Sequence, residues 1–136
     1  MEAVLLDTDV FSFFFKEDTR AALYANDVRN RQPCVSFMTV AELKYWEVHR
    51  NWGASKRAKL AQVLRHYVVL PYDDGMADCW AKIRSHSQSA AREILCGDCW
   101  IAASAIRHGI PLLSHNKRHF DTVPGLRLIS YGNGPG

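Results

Sequence analysis

The sequence predicts an α/β domain whose central, mainly parallel sheet is covered by helices on both faces. Three observations carry this. Short apolar runs without alternation, such as AVLL at 3–6, suit strands buried on both faces. Between such runs apolar residues recur at spacings of three and four, as on helices. Gly53, Pro71 and Gly109 punctuate the segments and leave short connections.

The elements follow in order. The first strand, 3–6, stops abruptly at Asp7. Helices are expected over 19–30, with Leu23 and Val28 inward, and over 39–50, with Val40 and Leu43 inward and Tyr45 and Trp46 packed in the core by default or else exposed for self-association or a partner. A brief strand at 34–36 separates them. Ser55 is expected to cap a helix running to about residue 67, with Leu60, Val63 and Leu64 inward. A strand at 68–70 ends at Pro71, and Asp73 and Asp74 open a helix through about 87. After a looser stretch, a helix over 97–108 closes at Gly109, the residue type best suited to a C-terminal stop. Strands at 110–113 and 127–129 complete the set. Neither repeat nor linker is visible, so 1–130 is read as one domain and 131–136, ending in GNGPG, as a flexible tail.

At 136 residues the chain is long enough for one core and too short for two ordinary domains. Its 48% apolar and 23% charged residues match a globular protein rather than a disordered or fibrous one. The net charge of +3 is too small to identify a polyanionic partner by itself. Acids at Glu2, Asp7 and Asp9 interrupt the apolar start, so no signal-peptide pattern accompanies Cys34, Cys79, Cys96 and Cys99, and a reducing cytoplasm is expected. No apolar run approaches the ~20 residues of a membrane helix.

In an open parallel sheet, function gathers at the carboxyl ends of the strands. Asp7 and Asp9 fall at such an end. Either could simply cap the next helix, and Glu42 completes a T-x-x-E capping box with Thr39, while Asp98 suits the positive end of a helix dipole. Those roles leave one fact unexplained. Asp7, Glu42 and Asp98 all lie at a strand end or helix start, and right-handed crossovers carry such positions toward one edge. Carboxylates crowded there repel, and a hard divalent cation, Mg²⁺ or Mn²⁺, relieves the repulsion. Such ions hold phosphate oxygens and activate water.

Four segments, in order, resemble one family: LLDTDV at 5–10, SFMTVAELKYW at 36–46, CGDCWIAASAIRHGIPLLSHN at 96–116 and HFDTVPGLRLI at 119–129. They are similar to PIN-domain ribonucleases, and among these to the VapC toxins of bacterial toxin-antitoxin pairs. The resemblance covers nearly the whole chain. It implies a PIN-like three-layer α/β/α sandwich, with Asp7, Glu42 and Asp98 as metal-binding acids. It places Asn116 at the fourth site position, often Asp or Asn in the family, where it lowers the site's charge and supplies a neutral oxygen or positions water. Asp9 stands where the family commonly has Asn and is read as supporting, as are Thr8 and Ser114, whose hydroxyls can orient a carboxylate or water. The implied activity is Mg²⁺- or Mn²⁺-dependent endonucleolytic hydrolysis of RNA. The implied partners are a VapB-like antitoxin, lying along a groove and blocking the acids, and a second copy of the chain in a homodimer. Phe11, Phe13, Phe14 and Phe15 then build core and partner groove.

Several features lie outside that core reading. Arg50, Lys56, Arg57 and Lys59 surround Trp52 as a phosphate-tracking patch with a stacking ring, or as a solvated helix face. Lys117 and Arg118, beside the acids, are candidates for gripping RNA. Cys96 and Cys99 form a C-x-x-C read as buried thiols, and His115 and His119 are assigned a surface role. Two competing functions remain open. Asp7-Thr8-Asp9 also fits the start of a haloacid dehalogenase-type phosphatase, with Asp7 as nucleophile and Asp9 as general acid, although no acid follows in 99–108. Asn116 alternatively suits a PIN-like RNA-binding module that has lost catalysis.

Overall fold

The computed structural model describes residues 2–89 and 93–132. Five strands form one sheet in the order β3-β2-β1-β4-β5, and every neighbouring pair is parallel. They are β1 Ala3–Leu6, β2 Gln32–Ser36, β3 Val68–Leu70, β4 Leu112–Leu113 and β5 Leu128–Ile129. The helices are α1 Thr8–Phe15, α2 Ala21–Val28, α3 Phe37–His49, α4 Ala54–Leu64, α5 Asp74–Ser89, α6 Cys96–His108 and α7 Lys117–Phe120.

The two-residue period of the strands divides the core into two layers. Leu5 pairs with both Cys34 and Leu112, and these three face α5, α6 and α7 through Ile83, Cys99, Ala102 and Phe120. Val4, Leu6, Val35 and Leu113 point the other way, onto Val10, Phe11 and Phe15 of α1, Tyr24 of α2, Leu43 of α3 and Leu60 of α4. Helices thus cover both faces, as the unalternating strands require. No helix among the described residues is long and apolar enough to cross a membrane.

The topology positions the site. From β1 the chain winds outward through β2 to β3, then returns to the other side of β1 as β4 and β5. The strand order therefore reverses between β1 and β4, and a crevice opens there at their carboxyl ends. Leu113 O accepts the Asp7 N–H at 2.8 Å, closing the two strands together where β1 gives out.

Local chemistry moves several boundaries. No element is expected between Asp7 and Thr19, where the aromatic run VFSFFF carries little helix propensity, yet helix α1 lies there. It forms because Asp7 caps it and because Val10, Phe11, Phe13 and Phe15 are buried against neighbours on the sheet face. Helix α3 starts two residues before the expected 39. Its cap is Ser36, whose hydroxyl accepts the Thr39 N–H at 3.2 Å, so Thr39 lies inside the helix and the Thr39-Glu42 capping box does not form. Helix α4 likewise begins at Ala54 with Gly53 as its cap, not at Ser55. Gly109 closes α6 at φ 64°, as expected. Strand β4 keeps only two residues of the expected 110–113, and α7 is an unforeseen turn of helix after it.

Two aromatic assignments also change. Tyr45 is 59% exposed on α3 rather than in the core, and Trp46 is half-buried. Trp52, expected as an exposed stacking ring, is buried and stacks on Phe15 with centroids 5.9 Å apart. Of the expected tail, Tyr131 donates its N–H to Tyr24 Oη at 3.0 Å and its hydroxyl to Asp27 Oδ2 at 2.8 Å. Residues 133–136 lie outside the described residues.

Candidate active site

Asp7 leaves β1 in an extended conformation and is 5% exposed. Its Oδ1 accepts the Thr8 N–H at 2.8 Å, and its Oδ2 accepts the Ser114 hydroxyl at 2.7 Å. Each carboxylate oxygen is thus held, one by the start of α1 and the other by the end of β4. Asp9, in the first turn of α1, binds across the same junction. Its Oδ1 accepts the Val10 N–H at 2.6 Å, while its Oδ2 accepts the His115 N–H at 3.1 Å and Asn116 Nδ2 at 3.0 Å. Asn116 also donates its backbone N–H to Ser114 Oγ at 3.1 Å.

The other acids arrive from neighbouring helices. Thr8 Oγ1 lies 2.9 Å from Thr39 Oγ1, a buried contact that ties α1 to the first turn of α3. Glu42, three residues after Thr39, leans on the start of α6, where a Cβ placed on Gly97 would stand 3.6 Å from its Oε1. Asp98, in the first turn of α6, is half-buried, and its Oδ2 is 3.0 Å from Nδ1 of His119 on α7. The structure therefore brings Asp7, Asp9, Glu42, Asp98 and Asn116 to one edge, at the reversal of strand order.

Their electrostatics are those of a site short of positive charge. Burial, then repulsion by Asp9 and Asp98, pushes the Asp7 carboxyl well above its ordinary range against the Ser114 and Thr8 bonds. Burial also raises Asp9, against the Val10 and His115 amides. Glu42 is raised by burial and then by Asp98 and Asp9, with Thr8 opposing. Burial raises Asp98, and the His119 ring pulls it back. An all-oxygen donor set of this kind suits a hard cation. Among the described residues no three His, Cys, Asp or Glu side chains stand close enough to enclose an ion together.

The histidines differ from expectation. His119 is 45% exposed, yet its ring faces Asp98 rather than solvent alone. His115 is half-buried, with Nδ1 2.8 Å from Tyr24 Oη and its ring edge-on to Phe13. The i,i+4 spacing did not reveal these roles because α7 starts between the two residues. Of the C-x-x-C pair, Cys99 is buried but Cys96 is exposed, and both are free thiols.

The expected basic residues separate into three settings. Lys117 and Arg118 are exposed at α7, and Arg118 lines a cleft of about 250 Å³ with Asp98, His119, Thr122 and Leu95. Arg57 is a fastening within the fold: its Nε donates to Trp52 O at 2.8 Å and its Nη2 to Glu47 O at 3.0 Å. Arg50 and Lys56 lie over the Trp46 and Trp52 rings, at 4.6 and 4.1 Å from their centroids, away from the acids.

Comparison with known proteins bears on the chain as a whole. Ribonuclease VapC2 of Haemophilus influenzae is 28% identical over 127 residues, spanning 93% of this chain and 96% of that protein. The tRNA(fMet)-specific endonuclease VapC of Shigella flexneri is 26% identical over 123 residues, spanning 90% and 93%. A solved structure of VapBC2 from Rickettsia felis, bound to a fragment of its promoter DNA, matches with a TM-score of 0.84 over 95% of this chain and 98% of that one. At 19% identity it speaks for the fold alone. DNA-bound VapBC from Salmonella typhimurium matches with a TM-score of 0.77 at 26% identity, covering 96% and 98%. Residues 4–126 match the PIN domain family. With that match spanning the sheet from β1 through β4 and every acid of the crevice, the chain belongs to the PIN-domain family.

Proposed function

We propose that this chain is a metal-dependent endoribonuclease that hydrolyses RNA phosphodiester bonds as the toxin of a VapBC-type pair. The observation that carries the reading is the placement of four carboxylates, Asp7, Asp9, Glu42 and Asp98, along the edge where the strand order reverses, where burial raises the pKa of each. The VapC ribonucleases similar to this chain support it. So does the VapBC complex from Salmonella typhimurium among its structural relatives, which favours a VapB-like antitoxin as partner. Tyr45 and Val48, exposed on α3, offer apolar surface for that partner or for a second copy of the chain.

In this reading Asp7, Glu42 and Asp98 would hold Mg²⁺ or Mn²⁺. When bound there, the ion supplies a water of lowered pKa and positive charge beside the leaving oxygen. The chain's own residues do the rest. Ser114 and the Thr8 amide fix the Asp7 carboxylate, and His119 fixes that of Asp98. Asn116 and the His115 amide hold Asp9 at the rim, while Lys117 and Arg118 supply charge for substrate phosphates. Each Asp7 oxygen accepts one hydrogen bond and keeps a lone pair for a cation. The match of residues 4–126 to the PIN domain family argues against the phosphatase reading, in which Asp7 is the nucleophile.

The test is incubation of end-labelled total RNA with the purified chain, first in chelator and then with Mg²⁺ or Mn²⁺ restored. Discrete fragments that appear only with metal are expected. RNA left intact under both conditions would favour a binding module without catalysis, and orthophosphate released from small phosphomonoesters would favour a phosphatase.

A further inference from the structure

A second cleft lies at the far end of α1, about 12 Å along the helix from its acidic start. It has a volume of about 530 Å³ and is lined by Phe15, Lys16, Gly53, Ser55, Lys56 and Lys59, with no carboxylate in the lining. Its three ammonium groups rest above aromatic rings: Lys56 Nζ is 4.1 Å from the Trp52 centroid, Lys59 Nζ 5.1 Å from that of Phe15, and Lys16 Nζ 5.7 Å from that of Trp46. The Arg50 guanidinium lies over the same Trp46 ring at 4.6 Å. Among the described residues these lysines form no ion pair.

So many like charges together repel. Burial, then Arg50 and Lys56, holds the Lys16 ammonium below its usual range, with only Asp18 opposing among the main influences. The neighbouring helix adds to the imbalance: α4 has no side-chain cap and no acid in its first turn, which carries Lys56 and Arg57 instead. Cations at a helix N-terminus run against the helix dipole. An anion in the cleft would relieve both effects.

The geometry points to the phosphodiester backbone of single-stranded RNA as that anion, held here apart from the carboxylates and without regard to sequence. The inference rests on RNA being the substrate. Trp52 and Phe15 are only 8% and 4% exposed, so they offer no face for a base to stack on, and contact is limited to phosphate. None of the large exposed apolar side chains lines the cleft, so a protein partner would find no anchor there. The cleft and the acids stand about 12 Å apart along the axis of α1, a span of a few nucleotides, so the cleft would set how a strand gripped here lies across the site. The sequence patch that included Arg57 is thereby redrawn: Arg57 is committed to Glu47 and Trp52, and Lys16 takes its place.

The experiment is fluorescence anisotropy of a short, labelled, mixed-sequence single-stranded RNA in chelator over a range of salt. It compares the parent chain with one carrying Lys16→Ala, Lys56→Ala and Lys59→Ala together. All three lysines are exposed, so the fold is expected to survive, with an unchanged circular dichroism spectrum as the check. The dissociation constant should rise about tenfold or more. The salt slope should become shallower by about 2, at ~0.7 per released phosphate contact. Unchanged affinity and slope, or no RNA binding by the parent, would overturn the inference. So would binding of poly-glutamate that is lost in the variant while RNA binding is kept, which would assign the cleft to an acidic peptide. Cleavage of the same RNA with Mg²⁺ separates this from the nuclease reading. A parent that cleaves while the variant binds equally well contradicts the cleft alone. Lysine-dependent binding without cleavage contradicts the nuclease and supports the cleft.

Discussion

Single residues at the acidic edge carry a conflict between stability and function. Because its pKa in the fold is raised, the Asp7 carboxyl favours folding only below about pH 4, the ordinary aspartate value, and that contribution is lost as pH rises through the folded value. Asparagine at this position still accepts the Thr8 N–H and carries no charge. Without metal, Asp7→Asn should therefore melt higher than the parent at pH 7, and the gap should close by pH 4. Thermal midpoints in chelator at both values decide this; a variant that melts lower at pH 7 would contradict it. Mg²⁺ should then raise the parent's midpoint and leave that of the variant where it was.

The cysteines give a second residue-level outcome. Burial chiefly pushes the Cys99 thiol up to about 11, so it is protonated and enclosed at neutral pH, while Cys96 is exposed. Iodoacetamide should label Cys96 and spare Cys99 in the folded protein, as read by peptide mass. Rapid labelling of Cys99 would mean that α6 does not pack as described. The C-x-x-C spacing treated the two alike because it says nothing of which face of α6 each occupies.

At the scale of elements, the sequence was informative where one signal dominated and misleading where two competed. Unalternating apolar runs placed β1 and β3, and Gly109 ended α6, because each is a local requirement of the backbone. Helix α1 went unseen because its aromatic run carries little helix propensity in isolation and becomes helical only through tertiary burial and the Asp7 cap. At α3, two capping signals overlapped, and Ser36 prevailed over Thr39. Ser36→Ala should accordingly cost about 1 kcal/mol in urea unfolding. A negligible cost would return the cap to Thr39.

Glu47 links α3 to α4 and was invisible as such in the sequence. It is 3% exposed, and its carboxylate meets Lys44 at 3.1 Å and Arg57 at 3.4 Å. Removing one partner of a fully buried pair costs about 3–5 kcal/mol. Lys44 and Arg57 are themselves 58% and 43% exposed, so solvent screens part of this and Glu47→Ala should cost nearer 1–3 kcal/mol. The drop should shrink as salt is raised, since exposed cations are screened. A loss independent of salt would place the effect in packing instead.

Across the whole molecule, the positions of Asp7, Glu42 and Asp98 near one edge were legible from chain order alone, since right-handed crossovers leave little choice. Their bonding was not. That Ser114 holds Asp7 and that Asn116 turns its amide to Asp9 depend on β4 returning beside β1 across about a hundred residues of chain, and that His119 meets Asp98 depends on α7 folding back onto the start of α6. Such long-range pairings leave no periodicity to read. The same holds for the lysine cleft, whose sides come from α1 and from the start of α4.

The most direct measurement is the rate of RNA cleavage with Mg²⁺ by the parent chain, by Asp7→Asn and by Asp98→Asn, each first shown to melt no lower than the parent in chelator. If the carboxylates at the β1/β4 reversal hold the metal that drives hydrolysis, both variants should lose activity by about a hundredfold or more. Parental rates in either well-folded variant would contradict the account, because hydrolysis would then have to arise elsewhere.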